Sequence, residues 1–556
     1  MPSNETSPLF HQQRPSFEPR EDSRRKLVFY FVSAISVTIL IFCITKTTNV
    51  RSSMMNSSTY SVSRLGNAVA EKRMKMRHHH LANPPSSEIR CEWVIDQFAE
   101  KDGPDPNATL LKDTYLAQSV DFNVFYRATA HIFWKDFSNA WGNLPRLLLD
   151  QEIELPGKIP LTFKSTWTWV TGDQHLSNFG AWKNRNGEVV FGVNDFDEAA
   201  IYDFHIDVLR IAVSICNHAL TNKFTSDDTS DVLRTFTHSY VDSVLEYIGN
   251  EKELLFELTP KTSYGKLQKF LKKVQKSNSA SKQLKKFTDI NETTGLRYFI
   301  KGKIGSPHNY THLVALPSVL EDKIRAEFTS TRYGASMMKL GWNVHQWDDD
   351  YFTVLDVAGR VGSGIGSYGV SRFYVLLKGR DGLLDADNDG TAVILDVKYE
   401  PKSAVWRILS TNDAAWYNVM FSNPAQQAAE GQRHLTSYTD PFTGWILIPD
   451  DQGILLPYSV RQRSPWKTSF DLNSLTDLRD YLDFVAQVAQ ATATSHVRGS
   501  VAKAPAQFKH VIESIMSDKS IRNEWSYVVE RIAKAYHQQV ILDFNCFKDF
   551  VETKYS

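Results

Sequence analysis

The sequence predicts an α+β fold in which a small antiparallel sheet accompanies a larger helical part. Three β-prone runs separated by turns lie between about 350 and 400. Apolar residues recur at helical spacing in four segments, namely 204–220, 229–249, 473–498 and 506–540. The chain has 556 residues, 42% of them hydrophobic, which is enough for a large buried core. Lys plus Arg and Asp plus Glu both total 63, so the formal net charge of zero gives no reason to expect nucleic-acid binding.

A single membrane anchor is predicted near the N-terminus. Residues 27–44 contain no charged side chain, and at about 1.5 Å per residue a helix of this length approaches the hydrocarbon thickness of about 30 Å. Basic residues directly precede this run. The positive-inside rule therefore predicts a cytosolic tail over 1–26, a flexible stalk over 45–88, and a folded domain over 89–556 that is lumenal or extracellular.

The four cysteines are too few and too scattered for a disulfide scaffold or a Cys/His metal site. Cys43 lies in the apolar run and Cys216 in a predicted helix, so both are expected to behave as small buried hydrophobes. Cys91 and Cys546 could pair if the domain lies in an oxidising compartment.

The most informative stretch begins with a β-prone run, 166–170, followed by the turn and loop Gly172-Asp173-Gln174-His175-Leu176-Ser177-Asn178. A second β-prone run, 187–193, leads into Asn194-Asp195-Phe196-Asp197. A helix with apolar residues at helical spacing then starts at Asp207. Acidic and carboxamide side chains thus follow two neighbouring predicted strands.

These side chains suit phosphoryl transfer. The reaction needs a carboxylate that orients the incoming hydroxyl and oxygen ligands that hold a metal on the phosphates. Asp173 is the candidate for the first task. Asn178, Asp195 and Asp197 are candidates for the second, and such hard oxygen ligands favour Mg²⁺ or Mn²⁺ over zinc.

A glycine-rich turn is predicted between two strands farther along the chain. The β-prone run 354–361 precedes it and the strand 372–378 follows it. Its glycines would let the backbone approach phosphate oxygens closely. They are Gly362, Gly364, Gly366 and Gly369.

A third β-prone run, 391–398, ends in Lys398. A lysine in such an apolar strand is costly to bury unless it is paired or faces a ligand. Glu430, on the helix-like stretch 425–435, is its predicted partner because Glu400 is too close in sequence. We therefore expect the 354–400 sheet to fold over the 172–197 loops.

The spacing of these motifs resembles the catalytic and metal-binding loops of kinase-like enzymes of the aminoglycoside and choline type. The resemblance implies a two-lobed kinase-like domain that uses ATP, with the phosphate lid after the catalytic loops, in permuted order. It implies that Asp173 is the catalytic base and that Asn178 and Asp195 hold Mg²⁺. His175 would be a structural residue of the catalytic loop and is counted with Asp173 in the predicted catalytic site. Asp207 would be a buried acid that braces the loop.

A longer series of motifs is similar to the family known as domain of unknown function 2252. The series runs from about Cys91 to the C-terminus: Phe125-Tyr126-Arg127, the 172–180 loop, 194–199, Asp207-Val208-Leu209-Arg210, the glycine turn with Val397-Lys398, Glu430-Gly431-Gln432-Arg433, 440–445, Arg461-Gln462 and Ser495-His496-Val497-Arg498. The chain departs from the family pattern in having Ala128 after Arg127, and Ser495 and Val497 where the pattern has alanines. The family implies no established substrate, and its usual form lacks the predicted anchor.

The predicted function is thus a metal-dependent phosphotransferase with ATP as donor and an acceptor that the sequence does not name. One alternative is a catalytically inactive, pseudokinase-like scaffold, and another is nucleotidyl transfer at the same metal site. Arg127 and Arg461 either bind phosphate or a substrate anion, or form internal salt bridges. His496 is expected to be a core histidine with satisfied hydrogen bonds.

Overall fold

Amphipathic helices form the larger part of the folded chain, as the sequence predicts. The computed structural model describes residues 87–102, 108–140, 154–155, 159–160, 162, 164–303, 311–342, 349–362, 370–378, 392–501, 503–504 and 506–555. The helices are α1 Ser87–Asp102, α2 Ala108–Gln118, α3 Phe122–Arg127, α4 Ala130–Ala140, α5 His205–Thr221, α6 Ser226–Glu246, α7 Gly265–Ser277, α8 Ala280–Phe287, α9 Ser318–Glu327, α10 Tyr333–Lys339, α11 Thr411–Met420, α12 Pro424–Leu435, α13 Leu478–Arg498, α14 Phe508–Met516 and α15 Lys519–Tyr555.

The strands form antiparallel pairs throughout the described residues. They are β1 Glu154–Leu155, β2 Ile159–Pro160, β3 Trp167–Val170, β4 Phe179–Lys183, β5 Val189–Val193, β6 Ala200–Asp203, β7 Thr288–Ile290, β8 Arg297–Phe299, β9 Leu313–Val314, β10 Val354–Arg360, β11 Arg372–Lys378, β12 Ala392–Tyr399, β13 Gly444–Pro449, β14 Leu455–Gln462 and β15 Thr468–Ser469. The α+β class predicted from the sequence is confirmed.

The largest sheet has six strands in the order β13-β14-β12-β11-β10-β9. It is wider than the predicted sheet of 350–400, because β14 pairs with the free edge of β12 and β13 pairs in turn with β14. Both faces of the sheet are covered. Phe373 and Val375 pack in a core with Tyr333, whereas the alternate residues Tyr374 and Leu376 pack in a second core.

The main hydrophobic core lies among the helices. Helix α13 packs against α6, and α15 packs against α5. The predicted helix 506–540 is in fact two helices, because the Asp518 side chain accepts hydrogen bonds from the backbone N–H groups of Ser520 (2.7 Å) and Ile521 (3.3 Å) and so begins a new helix. This second helix, α15, continues to Tyr555.

A disulfide joins the two ends of the folded domain. Cys91 on α1 bonds to Cys546 on α15, with 5.6 Å between their Cα atoms. Cys216 is buried and unbonded, as predicted. None of the helices in the described part of the chain is long and apolar enough to cross a bilayer. The predicted anchor, 27–44, lies outside the described residues.

Candidate functional site

The turn after β3 brings the two acidic loops together. Gly172 has φ +75°, and a Cβ at this position would come within 2.1 Å of the backbone oxygen of Glu198. Only glycine allows this approach. The Gly172 carbonyl accepts a hydrogen bond from the indole of Trp134 at 2.8 Å. The 172–178 loop and the 194–198 segment are therefore neighbours.

Asp207 braces this turn from the first turn of α5, as the sequence predicts. Its carboxylate is fully buried and accepts hydrogen bonds from the backbone N–H groups of Thr171 (2.7 Å) and Gly172 (2.9 Å), and from the Thr171 hydroxyl (3.0 Å). His496 Nε2 lies 3.2 Å from the same carboxylate, and His496 Nδ1 lies 2.7 Å from the Tyr240 hydroxyl. The expectation that His496 is a satisfied core histidine is confirmed.

Asp173, the predicted base, is held by an arginine that is fully buried. Arg210 Nε donates a hydrogen bond to Asp173 Oδ1, and the Asp173 side chain is 19% exposed. Burial raises the pKa of Asp173 to about 6, although the charge and hydrogen bond of Arg210 oppose the rise. His175 Nε2 lies 3.9 Å from Asp173 Oδ2. Burial and the nearby charge of Arg210 lower the pKa of His175 well below its ordinary value, so this imidazole is neutral.

Asn178 links the two loops. Its side-chain NH₂ donates to the backbone oxygen of Asp173 at 2.8 Å, and its own backbone oxygen accepts from the N–H of Asn194 at 3.0 Å. Asp195 follows directly. Its Oδ1 atom is buried and has no hydrogen-bond partner among the described residues. A buried carboxylate oxygen without a donor is uncommon, and it makes Asp195 a candidate ligand for a cation.

Lys398, on β12, faces the Asp195 carboxylate. Its ammonium forms a close ion pair with Asp197. Burial opposes ionisation of Asp195, but the charges of Lys398 and of neighbouring cations outweigh burial and lower its pKa. The structure therefore brings the lysine of the third sheet strand together with the acidic loop, as expected from the sequence.

Glu430 is not the partner of Lys398, and that part of the expectation is wrong. Its carboxylate accepts a hydrogen bond from Gln426, one turn earlier on α12, at 2.7 Å. Glu400 instead lies within electrostatic reach of Lys398 and accepts from the Ser459 hydroxyl at 2.6 Å. Residues 398 and 400 point to the same face because side chains alternate along a strand, and the sheet carries both to the acidic loop.

The predicted phosphate lid lies mostly outside the described residues. Gly362 ends the described part of the turn after β10, with φ +64°. Gly364, Gly366 and Gly369 are not among the described residues. The flanking strands β10 and β11 match the predicted ranges closely.

The two arginines noted in the sequence both lie near the acidic loops. Arg461 donates a hydrogen bond to the backbone oxygen of Asn194 at 3.0 Å. Arg127 lies within electrostatic reach of Asp173 and Asp195, and burial lowers its pKa. Neither guanidinium forms an ion pair with a described residue, so neither takes part in the internal salt bridge that was the alternative.

Two groups at the site were given no role from the sequence, although both lie within the motifs quoted above. Arg210 stands three residues after Asp207, on the same face of α5, so helical spacing could have indicated that it reaches the loop. Glu198 follows the acidic motif directly and accepts a hydrogen bond from the backbone N–H of Ala404. Burial raises the pKa of Glu198 to about 7, although the hydrogen bond from Ala404 opposes the rise.

The side chains present fit a hard divalent cation. Among the described residues, no group of three or more His, Cys, Asp or Glu is arranged as a metal site. Mg²⁺ on a nucleotide nevertheless needs only one or two protein oxygens, because phosphates and water complete its coordination. Asp195 Oδ1, which has no partner among the described residues, and the carboxamide of Asn178 are candidates for such oxygens.

The comparison with known families agrees with the sequence motifs. A family model described as "Uncharacterized protein conserved in bacteria (DUF2252)" matches residues 105–550. No curated protein and no solved structure matches the chain. Because the family model covers well over half of the sequence, the chain belongs to the DUF2252 family.

Proposed function

We propose that this protein is a metal-dependent phosphotransferase of the kinase-like type, with ATP as donor and Mg²⁺ or Mn²⁺ as cofactor. The observation that carries the proposal is the position of Asp195. It lies near both the 173–178 loop and Lys398, and one of its carboxylate oxygens is buried without a hydrogen-bond partner in the part of the chain that the structure describes. A scaffold would have no use for an ionised carboxylate in this setting, since burying one is costly.

The roles follow from the contacts of each side chain. Asp173 is the base, because a pKa of about 6 leaves it ionised at neutral pH and still able to accept a proton. Arg210 fixes the orientation of its carboxylate. Asn178 and Asp195 would hold the metal, with Asp197 beside them. The metal would neutralise charge on the transferred phosphoryl group.

The sheet supports the same proposal. Strands β10, β11 and β12 follow one another with a glycine-rich sequence between the first two and a lysine at the end of the third, which is the arrangement that kinases use around the phosphates. One feature differs from the kinase arrangement. Lys398 pairs with Asp197, whereas the corresponding lysine of kinases pairs with a glutamate on a helix. We assign Lys398 to the phosphate side of the site.

The test combines nucleotide binding with turnover on the full-length chain. The wild type is expected to show an ATP-dependent rise in melting temperature that requires Mg²⁺, and to release ADP slowly. Asp173→Asn should keep the thermal shift and lose about 10²–10⁴-fold in turnover. Asp195→Asn should lose the Mg²⁺-dependent part of the shift, whereas the exposed Asp549→Asn should change neither quantity.

Three other outcomes would contradict the proposal. A wild type that binds ATP but shows no turnover would indicate the inactive, scaffold-like alternative. Release of pyrophosphate in place of ADP would indicate nucleotidyl transfer. Absence of any nucleotide-dependent shift would remove the nucleotide site altogether.

We also infer that the domain works in an oxidising compartment, behind an anchor formed by 27–44. The Cys91–Cys546 disulfide supports this placement, since such bonds persist mainly in secretory and extracellular settings. The sequence contains N-glycosylation motifs such as Asn291-Glu292-Thr293, which are modified only in the secretory pathway. The tagged protein in cells should therefore be sensitive to glycosidase, and its domain should be protected from protease added on the cytosolic side. A domain that stays reduced and accessible from the cytosol would contradict it.

A further inference from the structure

A cleft beside Asp195 carries more positive charge than the proposed catalysis uses. It lies between the β4–β5 hairpin and the segment that follows β14, and its cavity volume is about 50 Å³. Four cationic residues line it. They are Lys183, Arg461, Arg463 and Lys467.

The acids in the cleft do not balance these charges. Asp396 is already engaged in a bidentate pair with Arg372, with Arg372 Nε 2.6 Å from Asp396 Oδ1. Asp440 is buried and accepts hydrogen bonds from the backbone N–H groups of Phe442 and Gln462. Burial raises its pKa to about 6, although those two hydrogen bonds oppose the rise, so its negative charge is weakened in mildly acidic solution.

Two of the cations have no acidic partner in the described part of the chain. Arg461 makes one hydrogen bond, to the backbone oxygen of Asn194. The ammonium group of Lys467 makes no hydrogen bond or ion pair with a described residue. Burial and the charges of Arg461 and Arg372 lower the pKa of Lys467 to about 7, and a bound anion would oppose this shift. Both lie within electrostatic reach of Asp195, which connects the cleft to the predicted metal position. Asp195 and Asp396 offset part of this positive charge, but neither forms an ion pair with Arg461 or Lys467 among the described residues. Cations gathered in a cleft with donors left over favour the binding of an anion.

We propose that the polyphosphate chain of the donor extends from Asp195 into this cleft, where Arg461 and Lys467 bind it. Phosphate oxygens suit these side chains because guanidinium and ammonium groups donate several charge-assisted hydrogen bonds. The inference rests on the proposed function for the identity of the ligand. It adds that the protein binds the phosphoryl donor mainly through the phosphates of that donor. Inorganic tripolyphosphate should therefore bind without any nucleoside.

The experiment is calorimetric titration of the full-length chain with inorganic tripolyphosphate in the absence of metal. The wild type is expected to bind at one site. Lys467→Met should weaken binding about tenfold, the equivalent of about 1.4 kcal/mol, and Lys467→Arg should restore it. Lys252→Met removes an exposed lysine that does not line the cleft and should have no effect. Arg461→Met should weaken binding at least as much as Lys467→Met.

Four outcomes would overturn the inference. The first is that the wild type does not bind tripolyphosphate, and the second is that Lys467→Met binds it as tightly as the wild type does. The third is that Lys467→Met and Lys252→Met lose the same affinity. The fourth is that adenosine binds tightly and tripolyphosphate does not bind. The Lys467 side chain makes no hydrogen bond or ion pair with a described residue, so its variant is expected to fold and to report on binding even if Arg461→Met does not fold.

Failure of the proposed function would look different. In that case tripolyphosphate would bind as described and depend on Lys467, but Mg²⁺ with ATP would give no turnover. Asp195→Asn separates the two claims as well. It should abolish the Mg²⁺-dependent thermal shift and leave metal-free tripolyphosphate binding intact, because it removes a negative charge from the border of the cleft.

Discussion

Replacement of Asp207 by Asn should destabilise the catalytic loop and the whole domain. The Asp207 carboxylate accepts hydrogen bonds from the backbone N–H groups of two consecutive residues, Thr171 and Gly172. Each N–H donates to a different carboxylate oxygen. Asparagine offers one oxygen and one NH₂ group. At least one of the two backbone donors must then face another donor in a fully buried site.

The magnitude follows from these contacts. A hydrogen bond to a charged acceptor contributes about 1.5–3 kcal/mol, and a buried donor left without an acceptor costs about 1–3 kcal/mol. The expected loss in the free energy of unfolding is therefore about 3–5 kcal/mol. With an m-value of about 3 kcal/mol per molar urea, the unfolding midpoint should fall by about 1–2 M.

Urea denaturation followed by tryptophan fluorescence measures this loss. Asp549→Asn is the matched control, because Asp549 is an exposed aspartate on α15 and makes no side-chain hydrogen bond within the described residues. Thr171→Val removes only the hydroxyl donor to the same carboxylate and should cost about 1.5–3 kcal/mol. If Asp207→Asn unfolds at the same urea concentration as Asp549→Asn, the bracing role of Asp207 is refuted.

Two further predictions concern stability away from the site. Cys91→Ser, which breaks the bond to Cys546, should lower the free energy of unfolding by about 2–5 kcal/mol under non-reducing conditions. A reductant should produce the same loss in the wild type and none in the variant, and a reductant-insensitive wild type would contradict the bond. Burial lowers the pKa of His537 to about 4, so the contribution of His537 to stability should fall by about 3 kcal/mol as pH falls from about 6.5 to 4, at about 1.4 kcal/mol per pKa unit. His537→Gln should lose less free energy of unfolding over that pH range. His510 has a side chain that is 42% exposed, so His510→Gln should lose as much as the wild type does. Equal acid sensitivity in the two variants would refute the assignment to His537.

The sign of the histidine prediction follows from which state binds the proton. Above about pH 6.5 both the folded and the unfolded forms of His537 are neutral, so its contribution to stability is fully present. Between pH 6.5 and 4 the unfolded chain binds a proton that the folded chain does not. The contribution of His537 to stability therefore decreases as the pH is lowered from 6.5 to 4, and it does not change further below pH 4.

Local sequence patterns predicted the acidic loops and the helix after them, whereas the bracing role of Asp207 came from the kinase-like resemblance. The turn at Gly172 and the helix that starts near Asp207 are short-range features, determined by backbone conformation and helical spacing. The same holds for β10, β11 and β12, whose ranges agree with the structure within one or two residues. Each of these elements is recognisable because its residues are close together in the chain.

What the sequence did not predict depends on pairing between distant segments. The partner of Lys398 was expected on α12 because helix residues there follow the strand, but the strand register directs the lysine to Asp197, about two hundred residues earlier. The strands β13 and β14 were missed since nothing in 444–462 indicates that it pairs with β12. The cationic cleft depends on that pairing, which is why Arg461 was noted without its neighbours.

The most direct test of the central claim is a crystal structure of the protein soaked with Mn²⁺ and a non-hydrolysable ATP analogue, with anomalous scattering used to locate the metal. The expected result is a metal peak about 2.1–2.2 Å from Asp195 Oδ1, with phosphate oxygens near Lys398 and reaching toward Arg461. A metal bound elsewhere, or a nucleotide bound while Asp195 Oδ1 has no ligand, would contradict the account.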